Sequence, residues 1–424
     1  LGILNEEDEG VINVAADIVE SSLIYREQDG VNQAEVDIEV RITGIDNTTY
    51  SDSYTTSLQI ETERPSYVSS SKLIHFNRDI PTPPGQYRVQ FFLLDRTSGN
   101  QTVLQSDTFI PNPELEQRNL TAVRLMAKQS QREEMKYQPV TTYDVSTVND
   151  SIRFVVQVTN NRPEQPVEVR SKLIQYPSDQ SAARPMNFQN YSPSSIQYKG
   201  VDYDDPETLD ETFRTLEQPG SVLIEYRYSL PEEGNYRFEV RVDDEQEELF
   251  KARDFAVLGR NYPALENPRE LAEPLIYLMD HRDHEEMMKI EDPDSLKQEI
   301  DRFWLSNVGS ASRARQVISL YYERVEQANK QFTNFKEGWK TDLGLIYVLF
   351  GPPWYVDTSL NNMQWIYSYD RADPRYNFYF RRPRGRSEFY PFNNYLLQRD
   401  SDYFSIQYRQ IERWLTGEII NRPL

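Results

Sequence analysis

The hydrophobic period of this chain changes once, near residue 265, and that change calls for strands and helices segregated along the sequence. Before it, apolar residues recur at every second position. Val31 to Ile42 is the clearest case: Ala34, Val36, Ile38, Val40 and Ile42 face one way, and Glu35, Asp37, Glu39 and Arg41 the other. Such alternation is a half-buried strand of an antiparallel sheet. Val11, Asp17-Ile-Val19 and Ser22-Leu-Ile-Tyr25 precede it. Pro81-Thr-Pro-Pro-Gly85 marks a turn, Tyr87 to Asp95 the next strand, Thr97-Ser-Gly-Asn100 another turn, and Val103 to Ile110 the last strand. Short strands punctuated by turns predict a β-sandwich over residues 1–114.

Pro111-Asn-Pro113 reads as a linker into a second β region that runs to about residue 259. Ile152–Val158 and Val222–Tyr228 are its clearest strands. Leu230-Pro-Glu-Glu-Gly-Asn-Tyr-Arg, with the strand that runs on to Asp244, repeats the order of Ile80-Pro-Thr-Pro-Pro-Gly-Gln-Tyr-Arg and its strand to Asp95. Both run apolar residue, Pro, glycine turn, Tyr-Arg, strand, Asp. The repetition predicts a second sandwich over 115–262. The polar stretch from 177 to 220 has little periodicity and reads as a long loop or insertion.

Beyond 265 the spacing becomes helical. Asn267-Pro-Arg-Glu270 supplies an N-cap with Pro at the first helical position. Leu271, Leu275 and Leu278 then share a face, with Pro274 bending the helix or delaying its start. Asp292-Pro-Asp294 opens a second helix carrying Leu296, Ile300, Phe303 and Trp304, and Asn307-Val-Gly309 closes it. The longest helix is expected from Ala311 to Phe332, with Val317, Leu320, Tyr321, Val325, Ala328 and Phe332 on one stripe. Gly338, Trp339, Thr341 and Asp342 then form a tight polar-aromatic knot. A strand is expected over Leu345–Phe350, stopped by Gly351-Pro352-Pro353. Aromatic segments follow at Met363–Tyr367 and Tyr376–Phe380, and a last helix at Asp402–Leu415, ending at Gly417.

At 424 residues the chain exceeds one core. Its 28 tyrosines suit strand faces that are half buried, and 25 prolines against 16 glycines fit stiff turns. A net charge of −22 repels nucleic acid and anionic membranes and leaves cations or a basic partner as electrostatic companions. The lack of cysteine excludes disulfides, thiol catalysis and Cys-ligated zinc. No run approaches the ~18 apolar residues of a membrane span. The sequence starts at Leu1 rather than Met. The expectation is a processed N-terminus, with a signal peptide upstream and an N-terminal lipid as the route to peripheral membrane association.

The run Gly338-Trp339-Lys340-Thr341-Asp342 resembles the motif of the GWxTD domain family. The resemblance extends back through Phe303-Trp304, Tyr322–Asn329 and Phe332, and forward through Gly344, Ile346–Leu349, Gly351-Pro352-Pro353 and Trp365-Ile-Tyr367. It covers about 265 to 390. Leu343 stands where the family often has a basic residue, Ser306-Asn-Val-Gly309 where it often has Arg-Asp-Pro, and Trp354 where an acidic residue is common. The resemblance therefore carries over no activity that depends on those charges. The resemblance implies a bacterial protein, found mainly in Bacteroidota and relatives, exported, with β-sandwich domains ahead of the motif. It implies no particular reaction.

The motif residues themselves have fold-level chemistry. Thr341 or Asp342 accepts backbone N–H bonds in a turn, Gly338 and Gly344 allow shapes closed to other residues, and Trp339 plugs the junction after the long helix. With Gly351, Pro352 and Trp365 they form the candidate structural or binding motif. His281-Arg-Asp-His284, flanked by Asp280, Asp283, Glu285 and Glu286, falls short of a zinc ligand set and reads as a solvated helix face. His75 reads as structural. Asp202–Glu207 and Asp243–Glu248 offer oxygen ligands for calcium but lack EF-hand spacing, so they read as charged loops. Arg371, Arg375, Arg381 and Arg382, with Arg384 and Arg386, interleave with Tyr376, Phe378, Tyr379, Phe380 and Phe389. Arg371, Arg375, Arg381, Arg382, Tyr376 and Tyr379 are the candidate partner or glycan surface. No nucleophile elbow, Walker loop or dinucleotide fingerprint is present, so no catalytic residue, metal or cofactor is assigned.

The fold expectation is therefore multidomain: two all-β, Ig-like sandwiches, then a helical segment and an α+β GWxTD-type domain over 263–424. The functional expectation is a non-enzymatic, exported envelope or surface protein. It would serve as a structural or docking subunit, with protein partners or copies of itself and no nucleic acid. The alternative is a hydrolase of glycan or peptide, its site in the C-terminal domain around Asp342.

Overall fold

A computed structural model describes residues 1–28, 30–45, 49–62, 73–128, 136–162, 165–187, 200–243, 249–368, 376–383 and 392–421. The chain divides into two units, each assembled from separate stretches. One holds Leu1–Gln175, Pro206–Glu232 and Tyr236–Phe255; the other holds Tyr176–Asp205, Glu233–Asn235 and Ala256–Leu424.

Among the described residues the first unit is built of sheets, with one 3-10 turn at Glu20–Ser22. Strands Gly2–Leu4, Gly10–Val19 and Leu73–Pro81 form one sheet. Arg26–Gln28, Val31–Gly44, Ser51–Thr62, Gly85–Asp95 and Gln101–Ile110 form another. The strand Val31–Gly44 pairs antiparallel with 51–62 on one side and 85–95 on the other. Its alternating set Ala34, Val36, Ile38, Val40 and Ile42 is wholly buried, in one core with Ile12, Phe76, Tyr87 and Phe91. Each of these Val and Ile side chains contributes roughly 1.5–3 kcal/mol by burial. A slip of one residue would expose them all, so the pattern also fixes the register.

A second pair of sheets follows. Ser151–Asn160 and Gly220–Ser229 belong to one, Val167–Tyr176, Gly234–Val242 and Leu249–Val257 to the other. Phe154 of the first stacks on Phe238 of the second at 4.2 Å and 7°, with Phe255 and Tyr226 packed around them. The repeated Pro/Gly-Tyr-Arg pattern has a shared geometry. The buried Tyr87 hydroxyl donates to Pro83 O at 2.7 Å, and the buried Tyr236 hydroxyl donates to Glu232 O at 2.8 Å. Both reach back four residues, as in a tyrosine corner.

The stretch 177–220 is not one long loop. Glu207–Leu216 is a strand paired with 167–176, from Glu207 opposite Gln175 to Leu216 opposite Val167. It lies at the end of its sheet and is largely exposed, so it needs no apolar alternation and shows none.

Among its described residues the second unit has six α-helices: α1 (Pro268–Ala272), α2 (His281–Met288), α3 (Pro293–Val308), α4 (Ala311–Phe332), α5 (Asp342–Phe350) and α6 (Tyr403–Leu415). They pack with a four-stranded sheet, Tyr355–Thr358, Asn362–Ile366, Asn377–Arg381 and Leu396–Leu397. Asn267 and Glu270 close a reciprocal capping box at α1. Pro274 passes the chain into a 3-10 turn, Glu273–Tyr277. Asp292 caps α3, and Gly309, at φ 71°, ends it.

Two expectations are overturned here. Leu345–Phe350 is helix, not strand. All nine residues of α5 are buried, so the run carries no amphipathic period, and periodicity does not separate a buried helix from a buried strand. Gly351-Pro352-Pro353 therefore stops a helix, with Gly351 at φ 83°. His284 is not on a solvated face. It is buried, and its Nε2 lies 3.1 Å from both Ala272 O and Glu273 O, bonding the end of α1. His281 is exposed and faces Glu285 at 3.3 Å.

Candidate functional site

The motif surrounds the first turn of α5. Thr341 is its N-cap: Oγ1 accepts from Gly344 N at 3.0 Å while its own hydroxyl donates to Gly338 O at 2.7 Å. The two glycines are fixed by close approach. A Cβ on Gly338 would stand 1.9 Å from Ala328 O, and one on Gly344 would stand 2.0 Å from Gly338 O. Trp339 sits among helices rather than against a new sheet. Its backbone N–H donates to Asn329 Oδ1 at 3.2 Å, its carbonyl accepts from the Tyr277 hydroxyl at 2.7 Å, and its Nε1 donates to Glu337 at 2.9 Å.

Asp342 begins α5, where a carboxylate meets the positive end of the helix dipole. Its Oδ1 accepts from Arg399 Nη2 at 2.7 Å, and its Oδ2 accepts from Arg399 Nη1 at 2.8 Å and from Leu397 N at 2.7 Å. Arg399 also donates to Arg184 O at 3.0 Å and, through Nε, to Pro185 O at 3.1 Å. The Asp342 and Arg399 side chains are 7% and 5% exposed. One bidentate pair thus joins the helix start, the strand Leu396–Leu397 and the segment at 184–186. Met186, in that segment, is fully buried in the core of the same unit.

The loop leading to the motif is held by Asn235 and by residues just before that segment. Phe335 O accepts from Asn235 Nδ2 at 2.8 Å and from Gln180 Nε2 at 3.0 Å, and Lys336 Nζ donates to Ser181 O at 2.7 Å. Burial pulls the Lys336 pKa down. Lys340 is half-buried, but Glu337 at 2.7 Å and Glu273 at 3.4 Å outweigh the desolvation and raise its pKa. Glu233 is pushed up by burial and by the nearby Glu337 charge.

The far end of α5 is closed with equal care. Leu349 O accepts from Gln410 Nε2 at 2.7 Å, Trp414 Nε1 at 3.0 Å and Arg324 Nη1 at 3.2 Å. The Tyr367 hydroxyl donates to Gly351 O at 2.6 Å. Arg324 is buried, with its pKa lowered by that burial, and its charge faces the negative end of the helix. A Cβ on Gly351 would come within 2.8 Å of Arg324 Nη2. Trp365 packs on Phe332 at 5.3 Å and Phe380 at 5.2 Å. The eight motif residues thus fall at the two ends of α5 and on the sheet beside it.

Among the described residues the basic-aromatic candidates are divided between the core and the surface. Phe378 and Phe380 are buried, and Tyr376 packs against the core. Arg382 lies over the Tyr395 ring at 5.1 Å and bonds Asn393. Tyr379 and Arg381 face outward, and Tyr379 accepts from Gln364 at 2.9 Å. Arg371 and Arg375, with Arg384, Arg386 and Phe389, lie outside the described residues. Of the acidic runs, Asp202 N donates to Pro177 O, and 244–248 lie outside the described residues. Among the described residues no group of three or more His, Asp or Glu is placed to hold a metal. His75 is exposed on its strand and meets Asp17 at 2.6 Å.

Sequence reasoning missed Arg399, Gln410, Tyr277 and the segment at 180–186. Arg399 is 57 residues from Asp342 and has no local signal. Arg324 did have one: it lies on the buried stripe of α4 with Tyr321, Val325 and Ala328, where a charge calls for explanation.

Residues 236–416 match the model of the GWxTD domain family. No curated protein matches the sequence. Similar solved structures include red sea bream transglutaminase, at 8% identity over 59% of this chain and 29% of that one, TM-score 0.18. The C-terminal domain of the Streptococcus agalactiae AgI/II polypeptide BspA is 10% identical over 60% of this chain and 100% of that one, TM-score 0.19. Escherichia coli alpha-2-macroglobulin activated by porcine elastase is 10% identical over 58% of this chain and 23% of that one, TM-score 0.18. This chain spans less than a third of the transglutaminase. Likenesses at these scores carry no argument about fold or function.

Proposed function

We propose a function from the premise that this chain carries a GWxTD domain and belongs to the family named for it: a non-enzymatic structural or docking subunit of a protein assembly. The observation that carries the reading is the state of the motif. Its one carboxylate, on Asp342, accepts three hydrogen bonds, and it and its arginine are sealed from solvent. Thr341 is spent on a cap, and both glycines are explained by van der Waals distance. These groups hold a fold together and offer no acid, base or nucleophile to a substrate. The two tyrosine corners support reading the β regions as a repeated pair of Ig-like sandwiches, modules that serve as spacers and docking surfaces. An exported, cell-envelope location is part of the same proposal and rests on the lack of cysteine and the sandwich repeat.

The test is a crosslinked pull-down of the intact protein from its native source, with fractionation of the cell envelope. A stable, stoichiometric envelope complex is the expected result. A free monomer in the cytosol would overturn the proposal. The hydrolase alternative makes a separate demand: Asp342→Asn would have to abolish turnover of a glycan or peptide while leaving the melting temperature nearly unchanged.

A further inference from the structure

The strand Gln101–Ile110 closes one side of its sheet, beside Gly85–Asp95. Its last three residues meet Gly2: Gly2 N donates to the Thr108 hydroxyl, and Gly2 lies against Phe109 O and the Ile110 side chain. Residues 101–107 are different. All seven are exposed, and among the described residues no backbone group pairs with them from the side away from 85–95. Such an edge is a template for another strand, and proteins usually guard it with charge, proline or a bulge. Here there is no proline and no lysine. The one charge is Asp107, neutralised by Arg88 at 3.0 and 3.2 Å. The other sandwich does guard its edge: Glu207–Leu216 carries Glu207, Asp210, Glu211 and Arg214.

The edge is also apolar on both faces. Val103 is 48% exposed and Leu104 59%. Leu104 lies opposite Phe91, a core residue, and so shares the inner face of the sheet. Among the described residues the other sheet of this core has three strands against five.

We propose that residues 101–107 pair antiparallel with the same residues of a second copy of this chain, about a two-fold axis at Leu104. Directly opposite residues in an antiparallel pair share a face, so the axis must pass through a residue. Only an axis at Leu104 uses all seven. It sets Leu104 against its own copy, Val103 against Gln105, Thr102 against Ser106 and Gln101 against Asp107. No like charges meet. A strongly basic partner strand would find no acid here except the one Arg88 already holds, so local charge favours the second copy. Seven residues is small beside the about 20–30 residues a side of a stable interface, so pairing is weak and depends on concentration. Because each copy carries −22, salt strengthens the dimer rather than weakening it. The proposal does not depend on the docking role, since a chain with any activity could pair this way.

The purified full chain, in sedimentation velocity from about 5 to about 500 μM, should show a dimer fraction that rises with concentration and again with added salt. Leu104→Lys places two ammonium groups at the axis and should abolish the dimer without lowering the melting temperature. Lacking cysteine, the chain also allows a direct geometric test. Leu104→Cys should form a disulfide dimer under mild oxidation, since opposed residues in a sheet lie within disulfide reach. Phe213→Cys, exposed on another strand, should not. A chain that stays monomeric throughout, or equal crosslinking at both positions, would overturn the pairing.

Discussion

A buried ion pair sets the chemistry of this molecule at the scale of single residues. Desolvating Asp342 and Arg399 is costly, and the geometry offsets it only because both groups find partners for nearly every donor and acceptor. Removing one partner leaves the other charged and stranded. Asp342→Asn or Arg399→Met should therefore destabilise the C-terminal unit by about 3–5 kcal/mol in urea titration. The double variant Asp342→Asn with Arg399→Met should lose less than the two single losses added together. Additive losses would show that the pair is not coupled. His284 gives a pH signature. Burial depresses its pKa below the ordinary 6.5, although the carbonyls of Ala272 and Glu273 pull the other way. As pH falls through 6.5 the unfolded chain gains the proton before the folded one does. The stability held by the neutral imidazole is thus complete above pH 6.5 and drains away below it, by at most about 1.4 kcal/mol per pH unit. His284→Gln should flatten that part of the wild-type curve, and in the unsubstituted chain the His284 imidazole should still be mostly neutral by NMR at pH 6.5.

At the scale of elements, α5 shows what a sequence discloses and what it withholds. Val31–Ile42 and α4 were legible because each buries one side only, and half-burial writes its period into the residues. Buried on every side, α5 writes none. Its two ends decided its state: a Thr341 cap and a Gly351 stop, both also compatible with a strand between turns. The motif was recognisable as a knot, yet its purpose depended on Arg399, Leu397 and Arg184, which no local pattern connects to it. Glu207–Leu216 was hidden for the opposite reason, since an exposed edge strand selects no apolar face. The glycines give a prediction at this scale. Gly338→Ala and Gly344→Ala must displace backbone carbonyls that lie within 2.0 Å of the new carbon. Each should lose about 3 kcal/mol or more. Gly99→Ala, at φ 74° with open space around it, should lose only about 1–2 kcal/mol of backbone strain. Equal losses at all three would show that conformation, and not close packing, selects the motif glycines.

At the scale of the whole molecule, the stretch matched by the family does not coincide with the compact C-terminal unit. The match spans 236–416, while the C-terminal unit also draws on 176–205 and 233–235. Those outlying stretches are structural parts of it. Arg184 and Pro185 supply carbonyls to Arg399, Ser181 supplies one to Lys336, Asn235 and Gln180 hold Phe335 O, and Met186 fills a place in the core. A fragment of 256–424 keeps the motif but strands Arg399 and Lys336 among lost partners and opens a cavity at Met186. Filling such a cavity from solution is a binding event, and binding to the folded state alone raises its stability by mass action. The fragment should therefore melt well below the C-terminal transition of the full chain, and a synthetic peptide of 176–205 should raise its melting temperature in a saturable way. A peptide in which Met186→Asp introduces a charge into the core should raise it far less. If the fragment melts with the full chain and ignores both peptides, the motif domain is self-sufficient, and the segment from the β region is only an ornament on its surface.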